Sequence, residues 1–286
     1  MIEYLYLGRV PYDEALSLQA EIAALRLEGR VDNVLLLLEH PPVLTLGRNA
    51  RRENVLASDE LLASRGVTLH EINRGGDVTY HGPGQLVGYP IFDLRSLRNP
   101  RGGRLGPVDF VRMMEEALIR LCGVYGVRAG QVAGLTGVWC GLPESGPLDG
   151  LGGPGKERKI GAIGIHVSRG ITSHGFAFNV TTDLGDFQLI NPCGITDRPV
   201  TSLEKEVPDP GDLPCLEAVA HDAARMLGQV FGEQVFAVES LNALRLHAGA
   251  SKAKRATPKL PAADTPLQIP REVERLHGDP ERPVRV

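Results

Sequence analysis

The sequence predicts an α+β fold: one domain over residues 1–249, followed by a disordered tail over residues 250–286. Three observations carry this reading. Two long segments, residues 107–123 and 215–232, place apolar residues at helical spacing. Two extended segments, residues 158–168 and 171–182, are joined only by Arg169-Gly170 and so read as an antiparallel hairpin. Beyond residue 250 the periodicity ends and prolines multiply while large apolar residues become scarce, a composition that cannot bury a core. With 286 residues and 42% hydrophobic composition, the remainder can bury a sizeable core.

The elements follow in order. Residues 13–28 read as a helix with Leu18, Ile22 and Leu25 on one face. "NVLLLLEH" and "PVLTLG" read as strands separated by Pro41-Pro42, with the run at 34–38 apolar enough to be buried on both faces. Residues 58–65 make a short helix with Ser58 as its N-cap. "VTLHEIN" is a strand that enters the glycine-rich stretch 74–85, and "LVGYPIFDL" is the next strand. Residues 107–123 form an amphipathic helix with Val111, Met114, Leu118 and Leu121 in register and Gly123 as a stop. "TGVWC" (136–140) is a strand, and residues 141–157 form a mobile loop rich in glycine and proline before the 158–168 strand. The last long helix, 215–232, carries Leu216, Val219, Ala223, Met226 and Val230.

Composition excludes several function classes. A net charge of −4 leaves no basic excess for a general nucleic-acid binder. No apolar run approaches the roughly 18 residues that span a bilayer. The first residues lack the pattern of a signal or transit peptide, so a cytoplasmic protein is expected. The four cysteines, Cys122, Cys140, Cys193 and Cys215, form no CxxC pair and read as free thiols. Cys122 lies on the apolar side of its helix and reads as a small buried hydrophobe.

Three islands carry potential chemistry. "RGGDVTYHGPGQ" (74–85) is a glycine-rich loop whose backbone can approach a ligand closely, with Arg74 at its mouth able to cradle a phosphate or a carbonyl oxygen. It matches neither GxGxxG nor the P-loop pattern, and a tight turn with a buried His81 explains it equally well. "KIGAIGIHV" keeps a strand nearly bare at Gly161, Ala162 and Gly164, so that something can lie against it, and Lys159 opens it. A lone lysine at a strand end is most simply a solvated one. "NPCGITD" displays Cys193 between proline and glycine, on a turn. A thiol near pH 7 is only a few per cent thiolate, and a nearby ammonium raises that fraction. His81, His166 and His174 show no HxH or HExxH spacing for a metal, and the papain-type sequence around the thiol is absent.

Together these islands resemble the octanoyl-[acyl-carrier-protein]:protein N-octanoyltransferases, the lipoyl(octanoyl) transferases. The matching residues are Arg74-Gly75-Gly76, Val78-Thr79-Tyr80-His81, Gly82-Pro83-Gly84-Gln85, Lys159-Ile160 with Gly164, Gly170, His174-Gly175, Asn179, Asp183, Phe187 and Ile190 to Gly194. The similarity runs from near residue 1 to about 245. It implies a fold like the catalytic domain of biotin and lipoate protein ligases, with mixed sheets flanked by helices. It implies octanoyl transfer from octanoyl-acyl carrier protein to a lysine of lipoyl domains of 2-oxoacid dehydrogenases or of glycine cleavage H protein, the first step of endogenous protein lipoylation. By the same match, Cys193 forms an acyl-thioester, and Lys159 lowers the thiol pKa and moves protons. Arg74, Gly75, Gly76, Asp77, Val78, Thr79, Tyr80 and His81, the strand residues Ala162, Ile163 and Gly164, and His174, Gly175 and Phe176 contact the acyl thioester. No cofactor or metal is implied, and a monomer is expected.

Two features depart from the family: the 141–157 loop looks long, and the tail lies outside the resemblance. Lys252, Lys254, Arg255 and Lys259 there can draw an acidic carrier, although a solvated tail explains them as simply. Rival readings are an ATP-dependent lipoate or biotin ligase on the same fold, a transferase between lipoyl-domain proteins, and a non-catalytic carrier-binding protein.

Overall fold

The structure is a computed structural model that describes residues 1–100, 102–142, 157–191 and 198–255. Eleven strands are described: β1 (Ile2–Arg9), β2 (Asn33–Glu39), β3 (Val43–Leu46), β4 (Thr68–Glu71), β5 (Val78–His81), β6 (Gln85–Ile91), β7 (Ala129–Val132), β8 (Leu135–Cys140), β9 (Arg158–Ser168), β10 (Ile171–Asn179) and β11 (Val235–Ala237). The helices are α1 (Tyr12–Leu27), α2 (Asp59–Ser64), α3 (Pro107–Val124), α4 (Leu203–Glu206), α5 (Leu216–Phe231) and α6 (Leu241–Arg255).

Eight strands form one mixed sheet in the order β11-β1-β2-β6-β10-β9-β8-β7, and β4-β3-β5 form a second, smaller sheet. β1 pairs parallel with both β11 and β2, and α1 supplies the crossover that a parallel β1–β2 pair requires. From β2 through β7 the large sheet is antiparallel. α3 and α5 cover one face, with Phe110, Leu118, Leu227 and Phe231 in the core. α1 and α6 cover the other, with Leu18, Ile22 and Leu244. β2 lies between both layers, so every residue from Val34 to Leu38 is buried and the strand reads as a continuous apolar run. The small sheet packs its own core, including Leu44, Val78, Tyr80 and Phe187.

Most expected elements are present. Ser58 caps α2 by accepting a hydrogen bond from the Leu61 N–H. The β9–β10 hairpin turns at Arg169-Gly170, both at positive φ. Two expectations change. α6 runs across residue 249, where the sequence pattern was expected to end, because Leu244 and Ala248 bury against the α1 face and small alanines mask the stripe. The glycine-rich stretch 74–85 is not wholly a loop, since Val78–His81 pairs antiparallel with β3. Among the described residues no helix is long and apolar enough to cross a membrane.

Candidate active site

A cleft of about 630 Å³ opens where the small sheet meets β9 and β10 of the large one. One wall is the loop from Arg74 to Asp77 with Thr79 and His81; the floor is β9 from Lys159 to Ile165, with β10 behind it; the opposite wall is the first two turns of α3. Val108, Val111, Leu135, Ile163 and Phe176 give the cleft an apolar lining, and Val108 is 73% exposed at its edge. Such a concavity, with an apolar surface beside polar and charged side chains such as Arg74, Asp77, His81 and Lys159, suits a ligand that has both a hydrophobic chain and a polar head.

Lys159 reaches this cleft because of a β-bulge. β8 and β9 pair Val138 with Gly161, then Trp139 with Lys159, so Ile160 is the extra residue. Strict alternation would put Lys159 on the same face as Gly161, toward the α3 core. The bulge instead sends both Ile160 and Gly161 to that core and turns Lys159 to the cleft. The lysine stem passes over Gly137, where a Cβ would lie 3.2 Å from its Cε, 3.6 Å from its Nζ and 2.5 Å from the Gly161 carbonyl oxygen. Gly137 also sits at φ 122°, so a side chain there is excluded twice. Its N–H donates to Glu115 Oε1 at 2.8 Å, and the other oxygen of this fully buried carboxylate accepts from Arg112 at 2.6 Å. Beyond Gly137, the Lys159 ammonium lies 4.8 Å from the Trp139 ring centroid.

The glycine-rich loop lies directly on β9. Gly75 N–H donates to the Ile165 carbonyl, and a Cβ on Gly164 would approach the Gly75 carbonyl oxygen to 2.6 Å. The bare strand expected to flank a ligand is thus occupied at Gly164 by the protein's own loop, and open to the cleft at Ala162. Arg74 binds Thr45 through its carbonyl and hydroxyl and the Gly75 carbonyl, so its guanidinium ties the loop to β3. His81 Nδ1 donates to Gln85 Oε1 at 2.8 Å, while its ring stacks on Tyr12 and meets His40 edge-on. His174 holds a left-handed φ of 54°, with its N–H on Gln19 Oε1 and its Nε2 on Asn73 Oδ1. That pairing assigns the proton to Nε2 and leaves buried Nδ1 as an acceptor with no partner among the described residues.

The model of the lipoyl protein ligase A/B catalytic domain matches residues 11–222. An octanoyltransferase of Acidobacterium capsulatum is 61% identical over 241 residues, spanning 84% of this chain and 94% of its own. The chain belongs to the octanoyltransferases of this family. An octanoyltransferase of Koribacter versatilis is 50% identical and covers 98% of both chains. Among solved structures, that of a bi-partite lipoate protein ligase and its E2 lipoyl domain from Thermoplasma acidophilum matches with a TM-score of 0.62 at 16% identity, covering 91% of this chain and 95% of that one. A lipoate-protein ligase A bound with ATP matches at 0.55 and 17% identity, over 89% and 95%. These two establish the shared fold, as the acyltransferase family leads one to expect.

Of the residues expected at the site, Arg74, Gly75, Gly76, Asp77, Thr79 and His81 line the cleft, with Lys159, Ala162, Ile163, Gly164, His174, Gly175 and Phe176. Val78 and Tyr80 do not. They alternate to the other face of β5 and bury in the core of the small sheet, where the Tyr80 hydroxyl donates to Asp186 Oδ2. Cys193 lies outside the described residues, as do residues 143–156 of the expected loop and the tail beyond 255. Sequence reading missed Tyr12, Arg112 and Glu115. Glu115 had a signal: it falls four residues after Val111 and three before Leu118, a carboxylate inside an apolar stripe.

The buried imidazoles set an acid limit on stability. Burial depresses His40 to about 4, His81 to about 3 and His174 to about 4, each helped by neighbouring cations or imidazoles. Neutral His40 is bonded on both nitrogens, donating to the Val10 carbonyl and accepting from the Tyr89 hydroxyl. In the unfolded chain these groups take up protons near pH 6.5, before the folded ones do. Their stabilisation is therefore complete above about 6.5 and is lost as pH falls toward 4. Lowering pH from 7.5 to 5 is expected to cost about 2 kcal/mol per histidine. Asp93 and Glu206, whose arginine partners hold them below the usual carboxylate range, stay ionised in this window. Urea midpoints at the two pH values measure the loss, and equal midpoints would disprove it.

Proposed function

We propose that the protein transfers an octanoyl group from octanoyl-acyl carrier protein, through a thioester on Cys193, to a lysine of lipoyl-domain proteins such as those of 2-oxoacid dehydrogenases and the glycine cleavage H protein. The Cys193 thiolate attacks the carrier's thioester carbonyl; the new C–S bond forms as the carrier C–S bond breaks, and the carrier thiolate leaves and takes a proton from Lys159. The acceptor amine then attacks the acyl-enzyme. A C–N bond forms, the Cys193 C–S bond breaks, and the proton lost by the amine returns to the thiolate or to Lys159. Thioester gives amide, so the step needs neither ATP nor a cofactor.

The observation that carries this reading is the bulge that delivers Lys159 to an apolar cleft. The backbone around that lysine supports it further. The Lys159 N–H donates to the Pro199 carbonyl and the Lys159 carbonyl accepts from Thr201, so the chain just after the cysteine segment runs beside the lysine. On the other side Asn191 is tied to the Asn54 carbonyl, and two residues extend the chain by at most about 7 Å.

Intact mass after mixing with octanoyl-acyl carrier protein tests the proposal. A gain of one octanoyl group, labile to hydroxylamine and absent in Cys193→Ser, is expected, and a lipoyl-domain chase should discharge it. Transfer without any adduct would mean direct attack by the acceptor amine. Product only from free octanoate and ATP would make the protein a ligase.

A further inference from the structure

We propose that Trp139 is a positioning residue, whose ring fixes the Lys159 ammonium in the attitude that acyl transfer uses; this rests on the role given to Lys159 above. Trp139 is the only tryptophan of the chain and is almost wholly buried. On β8 its neighbours Val138 and Cys140 face the α3 core, while Gly137 and Trp139 share the other face with Lys159. The lysine stem therefore crosses the bare Gly137 and ends over the indole, 4.8 Å from its centroid. A lysine has a flexible four-carbon stem, and a proton carrier must be held within hydrogen-bond reach of its partner. The negative face of an indole is the strongest aromatic site for an ammonium.

The choice of indole carries a cost that points the same way. Its Nε1–H is buried with no partner among the described residues. A phenylalanine would fill the site without orphaning a donor, so space-filling alone does not explain a tryptophan here. The charged surroundings are balanced as well. The Arg198 guanidinium lies 5.8 Å from the same ring, and Glu157, buried, faces it at 3.9 Å. Glu115 stands behind Gly137 and is paired with Arg112. Lys159 and Arg198 thus share one ring with an acid set against the arginine, which limits their mutual repulsion.

The test uses two readouts. In single-turnover and steady-state assays Trp139→Leu is expected to lower kcat about 10- to 30-fold with KM for the donor unchanged, and Trp139→Phe, which keeps a weaker ring, only a few-fold. Since the ring favours the ammonium, the alkaline limb of kcat moves to lower pH in Trp139→Leu and less in Trp139→Phe. Tryptophan emission supplies a readout free of substrate: in the wild type it changes through one alkaline step that Lys159→Met abolishes. Emission indifferent to Lys159→Met, or a folded Trp139→Leu with wild-type kcat and pH profile, would overturn the proposal. If Trp139→Leu does not fold, Trp139→Phe and the emission titration decide. A wild type that transfers the octanoyl group without a Cys193 adduct would refute the thioester and leave the emission test standing.

Discussion

Lys159→Met is expected to lower octanoyl transfer roughly 10²- to 10⁴-fold, the range for loss of a positioned acid/base, while the melting temperature stays within a few degrees of the wild type. Methionine is unbranched like the lysine stem and fills the same channel over Gly137. The hydrogen bonds that register this part of β9 use the Lys159 backbone, through Pro199 and Thr201, and survive the change. What disappears is the ammonium over Trp139 and its proton. Lys159→Arg should not restore activity: a guanidinium keeps the charge but does not give up a proton near neutrality. Rates for thioester formation and for discharge to the acceptor, measured separately over pH, check both steps. A Lys159→Met variant within five-fold of wild type in each would remove Lys159 from the chemistry.

That lysine shows how far the sequence alone could be read. Its strand was legible to the residue, because residues 171–182 alternate and Arg169-Gly170 supplies the turn that pairs them with 158–168. The resemblance assigned its role. Its direction was not legible. A bulge is one extra residue without a compositional mark, and strict alternation would have aimed Lys159 at the α3 core. The same period decides two other residues. The resemblance set Val78 and Tyr80 among those that contact the acyl thioester, whereas pairing with β3 makes Val78–His81 a strand and turns these two side chains away from the cleft. β1 and β11 escaped because they pair parallel across more than 200 residues of chain, a contact no local pattern encodes. Tyr12 opens a helix that reads as ordinary, and only the fold stacks it on His81 at the cleft.

Glu115→Ala is expected to destabilise the protein by about 3–5 kcal/mol, roughly 10 °C in melting temperature for a domain of this size. Two losses add. The Gly137 N–H, buried between α3 and β8, has Glu115 as its acceptor, and an orphaned buried donor costs about 1–3 kcal/mol. Arg112, whose side chain is 40% exposed, loses its buried partner but can turn toward water, so its share is the smaller one. Glu115→Gln separates the two. Its carbonyl oxygen can still accept from Gly137, but its amide nitrogen then meets the Arg112 guanidinium, donor against donor. A loss nearer 1–2 kcal/mol follows, and adding Arg112→Gln should recover part of it, giving a coupling energy in a double-mutant cycle. The effect on transfer should exceed the effect on stability, because Gly137 is the floor under the lysine stem: any shift of β8 moves that floor and Trp139 together. Thermal melts of wild type, Glu115→Ala, Glu115→Gln, Arg112→Gln and the double variant, with kcat measured well below the lowest melting point, test the chain of contacts from Arg112 to Lys159. Unchanged melting in Glu115→Ala would break that chain at the Gly137 hydrogen bond; a normal kcat in a destabilised Glu115→Ala would confine Glu115 to the packing of α3.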